Sequence, residues 1–378
     1  MALIELFRLS TFLAVIATLH AGVVGRQCAT TLSNATLIAN QLQFHYYNDS
    51  TGRYNNGRLW TDASSLEDLH NLMLSTGNDD YHNVADSSYI GKAALDPHTD
   101  WMKFLNGSYD DAQWVILALW KIADYKTARG RDGSAYISSA AKIYDMVAGQ
   151  WDDACGGGVW SSTDHTYKNA ITNEQFLLTS AAGYLRTNNG TYLENAEKEW
   201  TWLSASGMRG SSGLFNDGLK LGSCQNNGRT TWTYNQAVVA SGLGALYAAT
   251  RNTSLLDQAE VSLDATISSL TYNGILRESC DLATSGGTTC DHDQQIFKGI
   301  WTKHVQYYLD NVDDASRITK YSDFLGSQHS YVVKYAMNPA YDVGSVWYAA
   351  NEGGSQWSPA ASASGLEALI SAGKYGPC

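Results

Sequence analysis

The sequence predicts an all-α fold, an (α/α)6 barrel in which six helical hairpins close into a toroid. Three observations carry that expectation. Apolar residues recur at spacings of three and four along most of the chain, and no period-2 strand pattern recurs. Only 4 prolines occur among 378 residues, so helices can run uninterrupted, while the 34 glycines fall mostly between the periodic stretches. Twelve such stretches joined by short links form six antiparallel pairs, the number a closed ring of hairpins requires.

Residues 1–25 read as a secretory signal. Their apolar run, from Phe12 to Val24, is too short for a membrane span and fits an h-region, with cleavage near Ala21 or Gly25. The helices predicted for the first half are 33–47, 63–76, 84–104, 109–128, 134–151 and 169–188. Those of the second half are 191–207, 233–251, 254–271, 293–310, 313–335 and 360–374. Several follow Ser, Thr, Asn or Asp and stop at Gly, as capping requires. Trp114–Trp120 is apolar all round, which marks 109–128 as an inner helix. The longest non-helical segments, 152–168, 208–231, 272–292 and 336–359, are rich in Gly, Trp, Tyr, Asn and Asp. If helices alternate inner and outer, these loops roof one mouth of the toroid. Neither a linker nor a break in composition appears, so 26–378 reads as one domain.

Six cysteines follow the signal, at 28, 155, 224, 280, 290 and 378. In an exported chain an even number points to disulfides, with 15 connectivities open; Cys280 and Cys290 look like a local pair. Five N-glycosylation sequons begin at Asn34, Asn48, Asn106, Asn189 and Asn252 and fit passage through a glycosylating route. The sequon at Asn106 lies four residues before Asp110, so its glycan is expected to be absent or to point outward. No second apolar stretch reaches membrane length, and the closing SAGKYGPC carries no apolar tail of the kind a GPI anchor needs. The expectation is a freely secreted monomer.

Charge and composition exclude several functions. Lys and Arg number 25 against 37 Asp and Glu, a net charge of −12 that suits no nucleic-acid backbone. Hydrophobic residues make up 44% and charged residues 16%, the reverse of a disordered chain. The 12 Trp and 23 Tyr serve either a core or a surface that stacks on ligands. No GxSxG elbow, HExxH, phosphate loop or dinucleotide fingerprint is present, and no metal or other cofactor is expected.

What remains is carboxylate chemistry. Asp-Asp occurs at 79–80, 110–111, 152–153 and 313–314. Only Asp110-Asp111 opens the most apolar helix, where poor solvation and mutual repulsion should hold one proton on the pair near neutral pH. Such a pair offers an acid and a base side by side. Ser108-Tyr109-Asp110-Asp111 equally reads as an N-cap followed by acidic first-turn residues. Adjacent helical positions allow carboxyl groups about 5–5.5 Å apart, the separation of retaining glycosidases.

The segments YDDAQW (109–114), WDDACGGGVW (151–160), YKNAITNEQF (167–176), TYNQAV (233–238) and DHDQQIFKGIW (291–301) occur in an order that resembles glycoside hydrolase family 76, the endo-α-1,6-mannanases. The similarity covers about 35–375. It implies an (α/α)6 barrel and retaining hydrolysis of α-1,6-linked mannan or mannooligosaccharide, with Asp110 as nucleophile and Asp111 as acid/base. With a sugar acceptor in place of water the same pair would act as a cell-wall transglycosidase on the mannan core of GPI-linked glycans. A non-catalytic mannan-binding protein is the rival of another class. Trp60 and Trp160 are expected to stack on mannose or to pack in the core. Asn173, Glu174, Tyr234, Asn235, Gln236, Asp293, Gln294 and Lys298 are further substrate-binding candidates, with capping, core hydrogen bonding or a solvated helix face as their alternatives.

Overall fold

The computed structural model describes residues 27–281, 290–312, 314–350 and 354–378. The expected signal, and Asp313 of the fourth Asp-Asp pair, lie outside the described residues.

Fourteen α-helices are found among these residues. They are α1 (Ala29–Gln41), α2 (Leu59–Thr76), α3 (Val84–Ser87), α4 (Tyr89–Leu95), α5 (Trp101–Phe104), α6 (Tyr109–Ala128) and α7 (Ser134–Ala148). They continue as α8 (Ala170–Thr187), α9 (Gly190–Ala205), α10 (Thr233–Thr250), α11 (Ser254–Ser269), α12 (Phe297–Asn311), α13 (Ala315–Tyr331) and α14 (Pro359–Tyr375). The described strands are three two-residue antiparallel pairs in the connecting loops.

Six helices form a closed inner ring. α2 packs on α6, α6 on α8, α8 on α10, α10 on α12, α12 on α14, and α14 back on α2. The pairs α6–α7, α8–α9 and α10–α11 are hairpins, with α13 and α1 outside α14. This is the predicted (α/α)6 toroid. The inner helices are buried on nearly every side: α10 without interruption from Thr233 to Leu246, and α14 from Pro359 to Gly373. A helix enclosed on both faces needs no polar stripe, which is why the run in α6 is apolar all round.

The ends of these helices are set by local chemistry. The Ser108 side chain accepts the Asp111 N–H and caps α6, Asn169 accepts the Thr172 N–H and caps α8, and Ser358 with Pro359 begins α14. Gly77 and Asn188 stop α2 and α8 in the left-handed conformation.

The single helix expected over 84–104 is instead three short ones. Ser88 turns extended (ψ 154°) and starts a new helix by accepting the Gly91 N–H. Asp96 is extended because Pro97 follows it (φ −87°, ψ 111°). The helix expected from 293 begins at Phe297, so Asp293 and Gln294 sit in the turn before α12.

Disulfides join Cys280 to Cys290, as expected, and Cys155 to Cys224. No helix among the described residues is long and apolar enough to cross a membrane.

Candidate active site

The first turns of the inner helices meet at one mouth of the ring, around a cleft of about 290 Å³. Asp110 and Asp111 come from α6, Trp60 from α2, Tyr234 from α10 and Phe297 from α12, while Asp217, Trp232, Asp291, Asp293 and Gln294 arrive from the loops between helices. The cleft thus holds five carboxylates within aromatic walls.

Backbone ties fix the start of α6. The Tyr109 N–H donates to the Ser161 carbonyl (2.9 Å), and Ser108 pairs with Ser162 across an isolated bridge. The start of α8 is tied the same way, with the Ala170 N–H on the Asp217 carbonyl (2.8 Å). Asp217 is therefore held beside Asn169, whose amide donates to Asp110 Oδ2 at 3.4 Å. The Tyr167 hydroxyl donates to Asp217 Oδ2 (2.5 Å).

The electrostatics separate the acids. Burial, then the neighbouring Asp111 charge, push the Asp110 carboxyl up from 3.8 to about 7, against opposing hydrogen bonds from Asn169 and Trp114. Burial also raises Asp111, to about 6, opposed by its hydrogen bond with Ser108. Both side chains stay half-buried at the cleft floor rather than sealed, so substrate can reach them. Asp293 behaves oppositely. Its own burial would raise it, but hydrogen bonds with His292 and Trp60 and the Arg58 charge hold it below the usual range. Arg58 Nη1 lies 2.6 Å from Asp293 Oδ2, and Trp60 Nε1 donates to Oδ1 at 2.9 Å. The cleft therefore sets Asp293, held as an anion by Arg58 and Trp60, against two carboxyls that burial raises towards neutrality.

Of the residues expected to bind substrate, Trp60, Tyr234, Asp293 and Gln294 line the cleft. Tyr234 stacks flat on Phe297, with ring centroids 3.9 Å apart and planes 4° from parallel, which fixes the wall they form. The other six do not line it and are bonded to protein groups. Asn173 accepts the Val159 N–H (2.8 Å) and donates to the Val159 and Asn169 carbonyls. Gln236 clasps the Phe215 backbone, accepting from its N–H (2.7 Å) and donating to its carbonyl (2.9 Å). Buried Asn235 donates to Glu174 Oε2 (3.0 Å), and burial holds the Glu174 carboxyl well above its usual range. Trp160 is core: it stacks on His165 and donates from Nε1 to Asp152 Oδ2 (2.8 Å). Lys298, fully buried, is spent on Asp281 Oδ2 at 2.6 Å, so the alternative of a solvated helix face does not hold there. Each of these polar groups has at least one protein partner inside the ring, although Glu174 Oε1 and Asn235 Oδ1 have none.

Trp114, Phe297, Trp232, Asp217 and Asp291 line the cleft without having been expected. Trp114 was findable, since it lies one helical turn after Asp110 on the same face. The one grouping of metal-ligand residue types among the described residues, Cys280, Asp281 and Cys290, is a disulfide beside an ion-paired carboxylate. It offers no thiolate to a metal.

Residues 30–372 match the model of glycosyl hydrolase family 76. Among sequence relatives, the mannan endo-1,6-alpha-mannosidase DFG5 of Saccharomyces cerevisiae is 25% identical over 334 residues, 80% of this chain and 71% of that protein. DCW1 of Eremothecium gossypii, of the same description, is 24% identical over 286 residues, 72% of this chain. The chain spans about three fifths of the length of several curated relatives, 62% for DCW1 and 58% for one from Schizosaccharomyces pombe. Among solved structures, an inactive variant of an alpha-1,6-mannanase of Salegentibacter sp., with two consecutive aspartates changed to asparagine and alpha-1,6-mannotriose bound, superposes with a TM-score of 0.76. It is 20% identical, over 91% of this chain and 99% of that one. Dfg5 from Chaetomium thermophilum in complex with glucosamine also gives 0.76, at 19% identity over 91% and 90% of the two chains.

Proposed function

The chain belongs to glycosyl hydrolase family 76, and from that premise we propose that it is a secreted, retaining, endo-acting glycosidase that cleaves α-1,6-mannosidic linkages by double displacement. The observation that carries the reading is the Asp110–Asp111 pair, which titrates near neutrality at the floor of an aromatic, acidic cleft. The relatives described as mannan endo-1,6-alpha-mannosidases and the mannotriose-bound mannanase support the substrate class.

Asp110 attacks the anomeric carbon and forms a glycosyl-enzyme ester as the glycosidic C–O bond breaks. Asp111 gives its proton to the leaving oxygen, then takes one from the incoming water, which cleaves the ester. Asn169 supports the first role, because its amide favours ionised Asp110. Burial raises both carboxyls towards neutrality, so the pair holds one proton between them rather than on a fixed member. A hydrogen bond from Asp111 to the glycosidic oxygen draws that proton to Asp111 as substrate seats. Trp60, Trp114 and Tyr234 supply faces for sugar rings, and Asp293 and Gln294 accept and donate to hydroxyls. A sugar hydroxyl in place of water makes the second step a transglycosylation. Two disulfides fit an oxidising compartment, as secretion requires.

The test is product profiling on a defined α-1,6-mannooligosaccharide, with the wild type and with Asp110→Asn. Internal cleavage by the wild type and loss of several orders of magnitude in the variant are expected. Wild-type binding without product would favour a mannan-binding protein, and unchanged turnover by the variant would remove Asp110 from the mechanism.

A further inference from the structure

A second cavity, of about 240 Å³, opens among the later turns of the same inner helices. Its walls take Leu117, Trp120 and Lys121 from α6, Leu178 and Ala182 from α8, and Ser241 from α10. Lys121 follows Asp111 by ten residues on one helix, so the cavity sits about 15 Å further along the ring axis than the catalytic cleft. The proposed glycosidase chemistry does not use it.

Its charges are unevenly paired. Glu67 enters the wall with Oε2 on Lys303 Nζ (2.8 Å) and Oε1 accepting from the Tyr307 hydroxyl (2.8 Å). Asp310 is bound by Lys374 Nζ (2.5 Å) and the Tyr375 hydroxyl (2.5 Å). Arg186 is committed to both oxygens of Asp124, at 2.5 and 2.6 Å. Lys121 differs: no carboxylate of a described residue lies within 4.0 Å of its ammonium, which stands 4.2 Å from the centre of the Tyr307 ring. Burial lowers its pKa and the charges of Glu67, Asp124 and Asp310 pull it back up, yet none of these carboxylates reaches ion-pair distance of the ammonium. A second group also lacks a partner. Ser241 Oγ is fully buried in the wall and makes no hydrogen bond. Buried polar groups normally have one.

We propose that this cavity is a second, non-catalytic binding site for a small carboxylate with an apolar body. The carboxylate meets the Lys121 ammonium, and the body lies against Leu117, Leu178 and Ala182, with Ser241 buried behind the wall's surface. The volume equals that of about eight liquid waters, which suits a ligand of benzoate or hexanoate size. A cation is disfavoured because both wall carboxylates already have cationic partners, and a bare sugar would leave the ammonium without an anion.

The probes are benzoate and hexanoate, titrated into the full chain by calorimetry, with benzylamine and methyl α-mannoside as controls. Saturable binding of both acids is expected, weakened tenfold or more by Lys121→Met and abolished by Ala182→Phe, which fills the cavity. Cleavage of mannooligosaccharide should stay at the wild-type rate in both variants, which also reports that they fold. The proposal is overturned by any of three results: no saturable binding of either acid, equal affinity in a folded variant of either kind, or displacement of the acid by mannooligosaccharide, which would put it in the catalytic cleft. None of these outcomes depends on whether Asp110 is the nucleophile, so the two readings fail separately.

Discussion

Replacing Asp110 by Asn should abolish turnover and stabilise the fold. The carboxyl titrates at about 7 in the native protein and at 3.8 when its surroundings are lost, with burial as the leading cause. Below about pH 4 both states hold the proton and the group contributes nothing. Between about pH 4 and 7 the unfolded chain releases its proton while the native protein keeps it, so native stability falls as pH rises. Above about pH 7 the penalty is complete. Three units correspond to about 4 kcal/mol, an upper limit because Asp110 keeps some contact with solvent and part of the shift comes from Asp111. The neutral amide of Asp110→Asn has the carboxyl's shape without its charge. A gain of about 1–3 kcal/mol is therefore expected near pH 8, shrinking to nothing near pH 4. Urea unfolding at the two pH values measures it. A gain of equal size at both, or a loss at pH 8, would refute the claim that desolvated charge sets the titration of this pair.

Three further outcomes follow from the same geometry. Only the singly protonated pair can react, so kcat/KM should trace a narrow bell with limbs near about 6 and about 7; a flat profile to pH 9 would exclude a shared proton. Asp111→Asn should slow cleavage of mannooligosaccharide by at least ~100-fold but spare the first-turnover release of the phenol from an activated aryl mannoside, whose departure needs no proton, while the second step, which needs Asp111 as base, stays slow; an equal loss in that first-turnover release would deny Asp111 the acid role. The Cys155–Cys224 bridge closes a separation of 69 residues and holds the 155–160 segment against the loop that carries Asp217, so Cys224→Ser should lower stability by about 2–4 kcal/mol by chemical denaturation. An unchanged midpoint would show that the bridge constrains neither loop.

The ring was legible in the sequence because inner helices are apolar on all sides and keep a 3.6 period over many turns. The stretch over 84–104 was misread because its periodicity continues across Ser88 and Asp96, while the backbone is turned there by a side-chain cap and a following proline. The Asp110–Asp111 pair stood out because charge at the mouth of an apolar helix is costly without a purpose. The polar residues of the inner ring did not sort themselves. Lys298, Gln236 and Asn173 look like ligand-binding groups in a sequence, and only three-dimensional proximity shows Asp281, the Phe215 backbone and the Val159 backbone consuming their hydrogen bonds. Trp232, Asp217 and Asp291 reach the cleft from loops, where no period marks the direction of a side chain.

The most direct measurement is proton NMR of the reducing end first released from an α-1,6-mannooligosaccharide, recorded before mutarotation. Attack by Asp110 followed by water yields the α anomer first. Initial release of the β anomer would mean a single displacement, in which neither carboxylate forms a bond to the sugar.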